Sequence, residues 1–239
     1  MIRRNRTVDL ILTGDWHLRE DVPICRTDNF WMAQWNKVYE IKELQRKYNC
    51  PVLHAGDLFN GWKPSPYLLS QALLELPKKF QTVLGNHDVP QHNLDLVYKS
   101  GVNTLIHAGK IDLIFGGVHW GREPTGTDGT PLVCIQPGKE SERVILVWHV
   151  MTYAGKPPWP GCTDPSAEEL LKKYPQYDLI VTGHNHQSFA VRDDNRLLVN
   201  PGAITRQTAD QADFAPCVYL WHAESNTVEP YYLPIEKGV

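Results

Sequence analysis

The sequence predicts an α/β protein built around two β-sheets. Three observations carry this. Short apolar runs alternate with helix-period segments through the first third of the chain. Apolar runs then succeed one another with few helices between them. Polar turns, most of them opening on glycine, stand at the ends of several of these runs. Alternating strands and helices followed by successive strands are the pattern of a layered α/β architecture.

Each element has its own justification. Residues 8–13 read as a buried strand that ends at Gly14-Asp15-Trp16-His17. From about 28 to 48, Trp31, Trp35, Val38, Ile41, Leu44 and Tyr48 recur at three- and four-residue steps, which predicts a helix with Thr27 or Asp28 as its N-cap. Residues 50–54 form a second short strand, ending at Gly56-Asp57. A helix over 65–75 leads to a strand over 81–84, which ends at Gly85-Asn86-His87-Asp88. Strands are then expected at 111–119 and 143–149, with a Gly/Pro/Thr-rich hairpin or loop at 121–131 and a proline-rich loop around 157–161. A helix over 166–174 feeds a strand over 178–181 that ends at Gly183-His184-Asn185-His186. The tail reads as strands at 188–191, 197–199, 216–221 and 228–233. No linker composition divides the chain, so residues 1–239 are expected to form one domain.

Composition narrows the function. With 42% apolar and 21% charged residues, disorder is not the main story. A formal charge of −3 is no basic nucleic-acid footprint, although bound metal ions would add positive charge locally. No apolar run approaches the roughly 18 residues of a membrane helix. The basic start, residues 1–6, is followed by a short apolar stretch carrying Asp9, so export is not expected. The five cysteines are odd in number and widely spaced, with no C-x-x-C pair, which argues against a disulfide framework or a thiolate zinc site and for a cytoplasmic location.

The chemistry lies at the strand ends. Asp15 and His17, then Asp57, then Asn86 and His87, then His149, then His184 and His186 follow five separate predicted strands. In open α/β sheets ligands sit beyond the carboxyl ends of strands, so these groups are positioned to converge. Residues two apart in an extended turn point the same way, which lets Asp15-x-His17 and His184-x-His186 each serve a cation from one loop. Imidazole, carboxylate and amide donors without thiolate suit Mn²⁺, Fe²⁺ or Zn²⁺ better than Ca²⁺. Alone, each fragment is ordinary: a capping loop, a turn aspartate, a core histidine. The joint order is what points to a metal site.

That order, D-x-H, G-D, G-N-H-D, H, G-H-x-H, resembles the calcineurin-like metallophosphoesterase superfamily over about residues 10–204. Within it the text is most similar to SbcD-type DNA repair nucleases, through Gly14-Asp15-Trp16-His17-Leu18, Arg26-Thr27-Asp28-Asn29-Phe30, Leu53-His54-Ala55-Gly56-Asp57-Leu58-Phe59 with Pro64-Ser65-Pro66, and Asn200-Pro201-Gly202-Ala203. The resemblance implies a four-layer αββα sandwich of two mixed sheets flanked by helices. It implies two divalent cations about 3.5–4 Å apart, Mn²⁺ first, with Fe²⁺, Zn²⁺ or Mg²⁺ as alternatives. Asp15, His17 and His186 would hold one, Asn86, His149 and His184 the other, and Asp57 would bridge them. A water between the cations would attack phosphorus. His87 would act at the leaving oxygen, and Asp88 would orient it or fix the local turn. The position three residues after the bridging aspartate is Asn60, which leaves His87 without a charge partner.

The implied activity is DNA phosphodiester hydrolysis. The alternative is a small-molecule phosphoesterase, either a phosphomonoesterase or a nucleotide or cyclic-nucleotide phosphodiesterase. The chain ends at Val239 without room for a capping domain or the segment that docks an SbcC-like ATPase, so that partner is not expected; a homo-oligomer is compatible. Trp62, Lys63 and Tyr67 after Asp57, and Tyr153, Lys156 and Trp159 after His149, are candidates to stack bases and hold phosphates, against the competing reading that they pack their loops. The 154–164 loop could close over a small substrate. His119 and Trp120 are candidates to line the site, with a surface strand the favoured reading; His54 and His222 are assigned to the core or a sheet; and Arg3, Arg4 and Arg6 are candidates to touch a nucleic-acid backbone, with a solvated terminus the favoured reading.

Overall fold

Alternate residues of the central strands are buried on opposite faces, and this sets the layers. The structure, a computed structural model, describes residues 7–124, 134–135 and 143–235. Arg3, Arg4, Arg6 and residues 125–131 of the expected hairpin lie outside these. In order come β1 (Leu10–Thr13), α1 (Phe30–Tyr48), β2 (Val52–His54), α2 (Pro66–Glu75), β3 (Phe80–Thr82), α3 (Gly101–His107), β4 (Asp112–Leu113), β5 (Cys134–Ile135), β6 (Arg143–Trp148), α4 (Ala167–Lys173), β7 (Leu179–Thr182), β8 (Phe189–Asp193), β9 (Arg196–Asn200), β10 (Cys217–His222) and β11 (Thr227–Tyr232).

The first sheet has the order β11-β10-β1-β2-β3-β4, the second β5-β6-β7-β9-β8. Both are mixed: β1, β2, β3 and β4 run parallel, as do β6, β7 and β9, while β10, β11, β5 and β8 join antiparallel. Leu10, Leu12, Leu53 and Val83 pack against Ile145, Val147, Leu179, Val181, Leu197 and Val199, which makes the interior between the sheets. One residue along, Ile11, Val52 and Phe80 face Trp35, Val38, Ile41, Leu68, Ala72 and Leu105 of α1 to α3. On the far side Leu146, Ile180 and Leu198 face Ala167, Leu170 and Leu171 of α4. Period-two strands buried on both faces give the four layers αββα.

Some elements differ from expectation. Helix α1 begins at Phe30 and is capped by Asn29, whose side chain accepts from the Met32 amide, not by Thr27 or Asp28. The expected strand over 111–119 is broken. Only Asp112–Leu113 pairs with β3; Gly116 at φ 72° and Gly117 turn the chain, and Val118 then bridges to Trp148 of the other sheet. This segment crosses between the sheets, with Ile114 N on Thr82 O at 2.9 Å and Val118 N on Val147 O at 2.9 Å. Among the described residues no helix is long and apolar enough to cross a membrane.

Candidate metal centre

β1, β2 and β3 of one sheet and β6 and β7 of the other end at the same rim, so their following loops meet. The loops after β1 and β2 continue side by side, through Asp15 N to Gly56 O at 3.0 Å, His17 N to Asp57 O at 3.0 Å and Leu18 N to Leu58 O at 2.9 Å. Asp15, His17, Asp57 and His184 all hold positive φ, between 46° and 77°. Such backbone is uncommon for residues other than glycine and collects at functional loops. Gly56, at φ 97°, has no room for a side chain: a Cβ there would stand 2.5 Å from His149 Nδ1. At Gly85 a Cβ would collide with the Asp57 carboxylate. Glycine at these two places lets three loops close on one point.

The structure brings Asp15, His17, Asp57, Asn86, His87, His149, His184 and His186 together. Ligand atoms of Asp15, His17 and His186 lie within 4.8 Å of one another; so do those of His17, Asp57 and His87, and those of Asp57, His149 and His184. His17 Nε2 is 3.1 Å from His186 Nε2 and 3.6 Å from Asp57 Oδ2. His149 Nε2 is 3.4 Å from the same Asp57 oxygen and 3.1 Å from Asn86 Oδ1, which also meets His184 Nδ1 at 3.0 Å. Asp57 Oδ2 thus stands between the two sets.

The hydrogen bonds fix which atoms are free. His149 Nδ1 is 2.7 Å from the carbonyl of Ala55, and a carbonyl only accepts. Nδ1 therefore donates, and Nε2 turns its lone pair toward two oxygens. Acceptors aimed at one another need a cation between them. Burial alone would hold His149 neutral, yet the Asp57 charge and hydrogen bond push its pKa up to about 9, the mark of a place that favours positive charge. Burial alone would also raise Asp57, but the charge and hydrogen bond of His149, then His17, hold its carboxyl well below the usual carboxylate range. Burial pushes Asp15 up to about 8, against the attraction of His149. Burial lowers His17 and His186, and burial with the nearby His149 lowers His184 to about 4. Neutral imidazoles beside a carboxylate and an amide oxygen form a donor set that fits divalent metal ions.

His87 is held by the backbone. Its Nδ1 is 2.9 Å from the Asn60 carbonyl and its amide donates to Asp57 Oδ1 at 2.8 Å. Nδ1 is again the donor, which leaves Nε2 free, and the ring meets that of His17 edge-on at 4.7 Å. The Asn60 side chain is not what holds this histidine. Asp88 is turned away from it: its carboxylate accepts from the amides of Asp57 at 2.8 Å, Leu58 at 3.0 Å and Gly85 at 2.9 Å. Asp88 clamps the β2 loop to the β3 loop.

Two residues beside the centre stand differently from the sequence reading, which favours a surface strand for Trp120 over a place in the site and gives Asn200 no role. Trp120, expected on a surface strand, is carried by the 114–120 crossing onto the His184 ring, at 4.6 Å between centroids, with its amide on Leu84 O at 2.9 Å. Its place at the end of an expected strand, like the other site residues, is the available signal. Asn200 donates to the carbonyls of Asn185 at 2.5 Å and Gln187 at 2.7 Å, on either side of His186, and so shapes that loop. An open cleft of about 490 Å³ leads outward from His149 and His184 and is lined by Trp120, Arg122, Met151 and Trp159 among others. Of the substrate-side candidates, Trp159 lines it, and Trp62, Lys63, Tyr153 and Lys156 do not. Tyr67 stacks on Trp31 at 5.1 Å, and the Tyr153 carbonyl receives the Ala167 amide at 2.8 Å. His54 and His222 are buried in β2 and β10, as expected.

No curated protein matches the chain. Among solved structures, the chain is similar to an archaeal phosphodiesterase at TM-score 0.51 and 14% identity, over 94% of this chain and 99% of that one. It is also similar to a Staphylococcus aureus protein provisionally named a 5′-nucleotidase, at TM-score 0.56 and 13% identity, over 96% of this chain and 54% of that one. At these identities the likeness shows the fold. The family model for calcineurin-like phosphoesterases matches residues 8–188, about three quarters of the sequence. The chain therefore belongs to the calcineurin-like phosphoesterase family, whose members are metal-dependent hydrolases of phosphoesters.

Proposed function

We propose that the protein is a two-metal phosphodiesterase that cleaves DNA. The observation that carries the reading is the convergence of seven nitrogen and oxygen donors from both sheets beside a histidine with a free Nε2. Asp15, His17 and His186 would hold one cation, Asn86, His149 and His184 the other, and Asp57 faces both sets. When bound, divalent cations supply Lewis acidity and a water of lowered pKa, Mn²⁺ being the first choice for this donor set. His87 gives its Nδ1 proton to the Asn60 carbonyl as a hydrogen bond; acting at the leaving oxygen, it would carry a second proton on Nε2 and transfer that proton to the oxygen as the P–O bond breaks. Asp88 and Asn200 hold the loops that carry Asp57 and His186. The SbcD-like text around Asp57 and the aromatic cleft beside the centre support DNA as the substrate.

The test is digestion of labelled single- and double-stranded DNA with Mn²⁺ by wild type and His87→Ala. We expect cleavage by wild type, loss in EDTA, and a fall of roughly 100-fold or more in the variant. A second reading, hydrolysis of a small nucleotide phosphoester, draws on the cleft, which is sized for a single small ligand. Intact DNA with hydrolysis of bis-p-nitrophenyl phosphate would favour it.

A further inference from the structure

We propose that the cleft beside His149 and His184 receives one unpaired nucleoside flanking the scissile phosphate, so that the enzyme acts on single-stranded or splayed DNA and not on paired duplex. This rests on the phosphodiesterase reading and adds to it the form of the substrate.

The position of the cleft comes first. His149 and His184 belong both to the candidate metal centre and to the cleft wall, so a group attached to a phosphate at the centre extends into the cleft. Size comes second. At about 490 Å³ the cleft falls in the range that holds one small organic ligand such as a nucleoside.

The wall chemistry decides what the ligand is. Half-buried Trp120 leans on His184, while Trp159 of the proline-rich loop is 48% exposed, and Met151 lies between the β6 end and that loop. Indoles beside a phosphate site are the platform on which bases stack without regard to sequence. The charges point the same way. Arg122 is offset by Glu123 and Asp164, so the cleft has no surplus of cations for a second phosphate or a polyphosphate tail. A neutral, flat, hydrogen-bonding group fits, and a nucleobase is that group. Within a duplex the base is stacked and paired, and it reaches such a site only when the strand is already open or the nucleotide is turned out.

The test compares a labelled single-stranded oligonucleotide with the same backbone built from abasic tetrahydrofuran residues, and with the duplex. Wild type with Mn²⁺ is expected to cleave the base-bearing strand at least ten-fold faster than either. Trp159→Ala and Trp120→Ala are expected to bring the ratio of base-bearing to abasic cleavage toward one. Trp159 lies outside the ligand set, so its variant keeps the test meaningful if Trp120→Ala disturbs His184. A second readout needs no turnover: calorimetric binding of 2′-deoxyadenosine 5′-monophosphate against 2-deoxyribose 5-phosphate, with the nucleotide expected to bind roughly ten-fold more tightly and that margin to fall in Trp159→Ala. Equal cleavage of base-bearing and abasic strands by wild type, or an unchanged margin in both variants, overturns the inference. Failure to cut any DNA while bis-p-nitrophenyl phosphate is hydrolysed overturns the DNA reading; the calorimetric margin then still decides for or against a nucleoside in the cleft.

Discussion

Asp57 sits where the two sheets meet, one oxygen taken by the amide of His87 and the other facing His17 and His149. Asp57→Asn keeps the shape and the first of these bonds but removes the charge that faces both sets of donors. We expect metal content near zero by elemental analysis, and phosphodiesterase activity lowered by at least about 100-fold, with the circular dichroism of the wild type. His54 offers a separate test. It lies in the core beside Trp16 and Phe80, with Nδ1 2.9 Å from Thr82 Oγ1, and burial lowers its pKa to about 3. The unfolded side chain takes a proton near pH 6.5, while the folded one stays neutral far below that. Stability is therefore intact above pH 6.5 and declines as pH falls, by about 1.4 kcal/mol per unit for one proton. Denaturant unfolding at pH 7 and pH 5 should show a loss roughly 2 kcal/mol larger in wild type than in His54→Gln. At this scale the sequence was legible where chemistry restricts residue type: the grouped histidines and aspartates stand out by identity and spacing alone. Trp120 does not, because an indole in a strand serves packing as readily as a site, and only the crossing at Gly116-Gly117 decides between them.

Helices were legible where apolar spacing and capping agree. Ser65 and Ser166 cap α2 and α4, and Ser166 with Glu169 forms a reciprocal pair of bonds at the start of α4. Ser166→Ala should cost about 1 kcal/mol in a denaturant titration, and a change much below 0.5 kcal/mol would show that the cap is not holding the helix. Helix α3 went unread because it is one Gly-led segment of seven residues with only Val102 and Leu105 as its buried hydrophobic anchors, too short to show a period. The strand over 111–119 was overread for the opposite reason: its residues are apolar enough for a strand, but two glycines inside it serve a change of sheet.

The candidate donors come from both sheets, so at the scale of the whole molecule a bound metal would be a tie between layers. A ligand held only by the folded state stabilises it by about 2.7 kcal/mol at a concentration 100-fold above its Kd. For a chain of this size that corresponds to a rise in Tm of roughly 5–10 °C. Thermal scans of chelated and Mn²⁺-loaded protein should show it, and equal melting temperatures would mean the donors do not hold an ion. The layered architecture was legible from element order alone; the joining of the sheets was not, since hydrophobic alternation says which faces are buried and not against what.

The hairpin of β10 and β11 has a consequence for biosynthesis. β10 pairs with β1 from Leu10↔Trp221 to Leu12↔Tyr219, and its Cys217, Tyr219 and Trp221 help fill the space between the sheets. A ribosome that has translated as far as His186 has already made every donor, yet β1 still lacks one neighbour and the interior one wall. Metal uptake at this point would thus wait for strands that leave the exit tunnel after the donors themselves. A chain stopped after residue 215 should emerge with all its ligands and no metal.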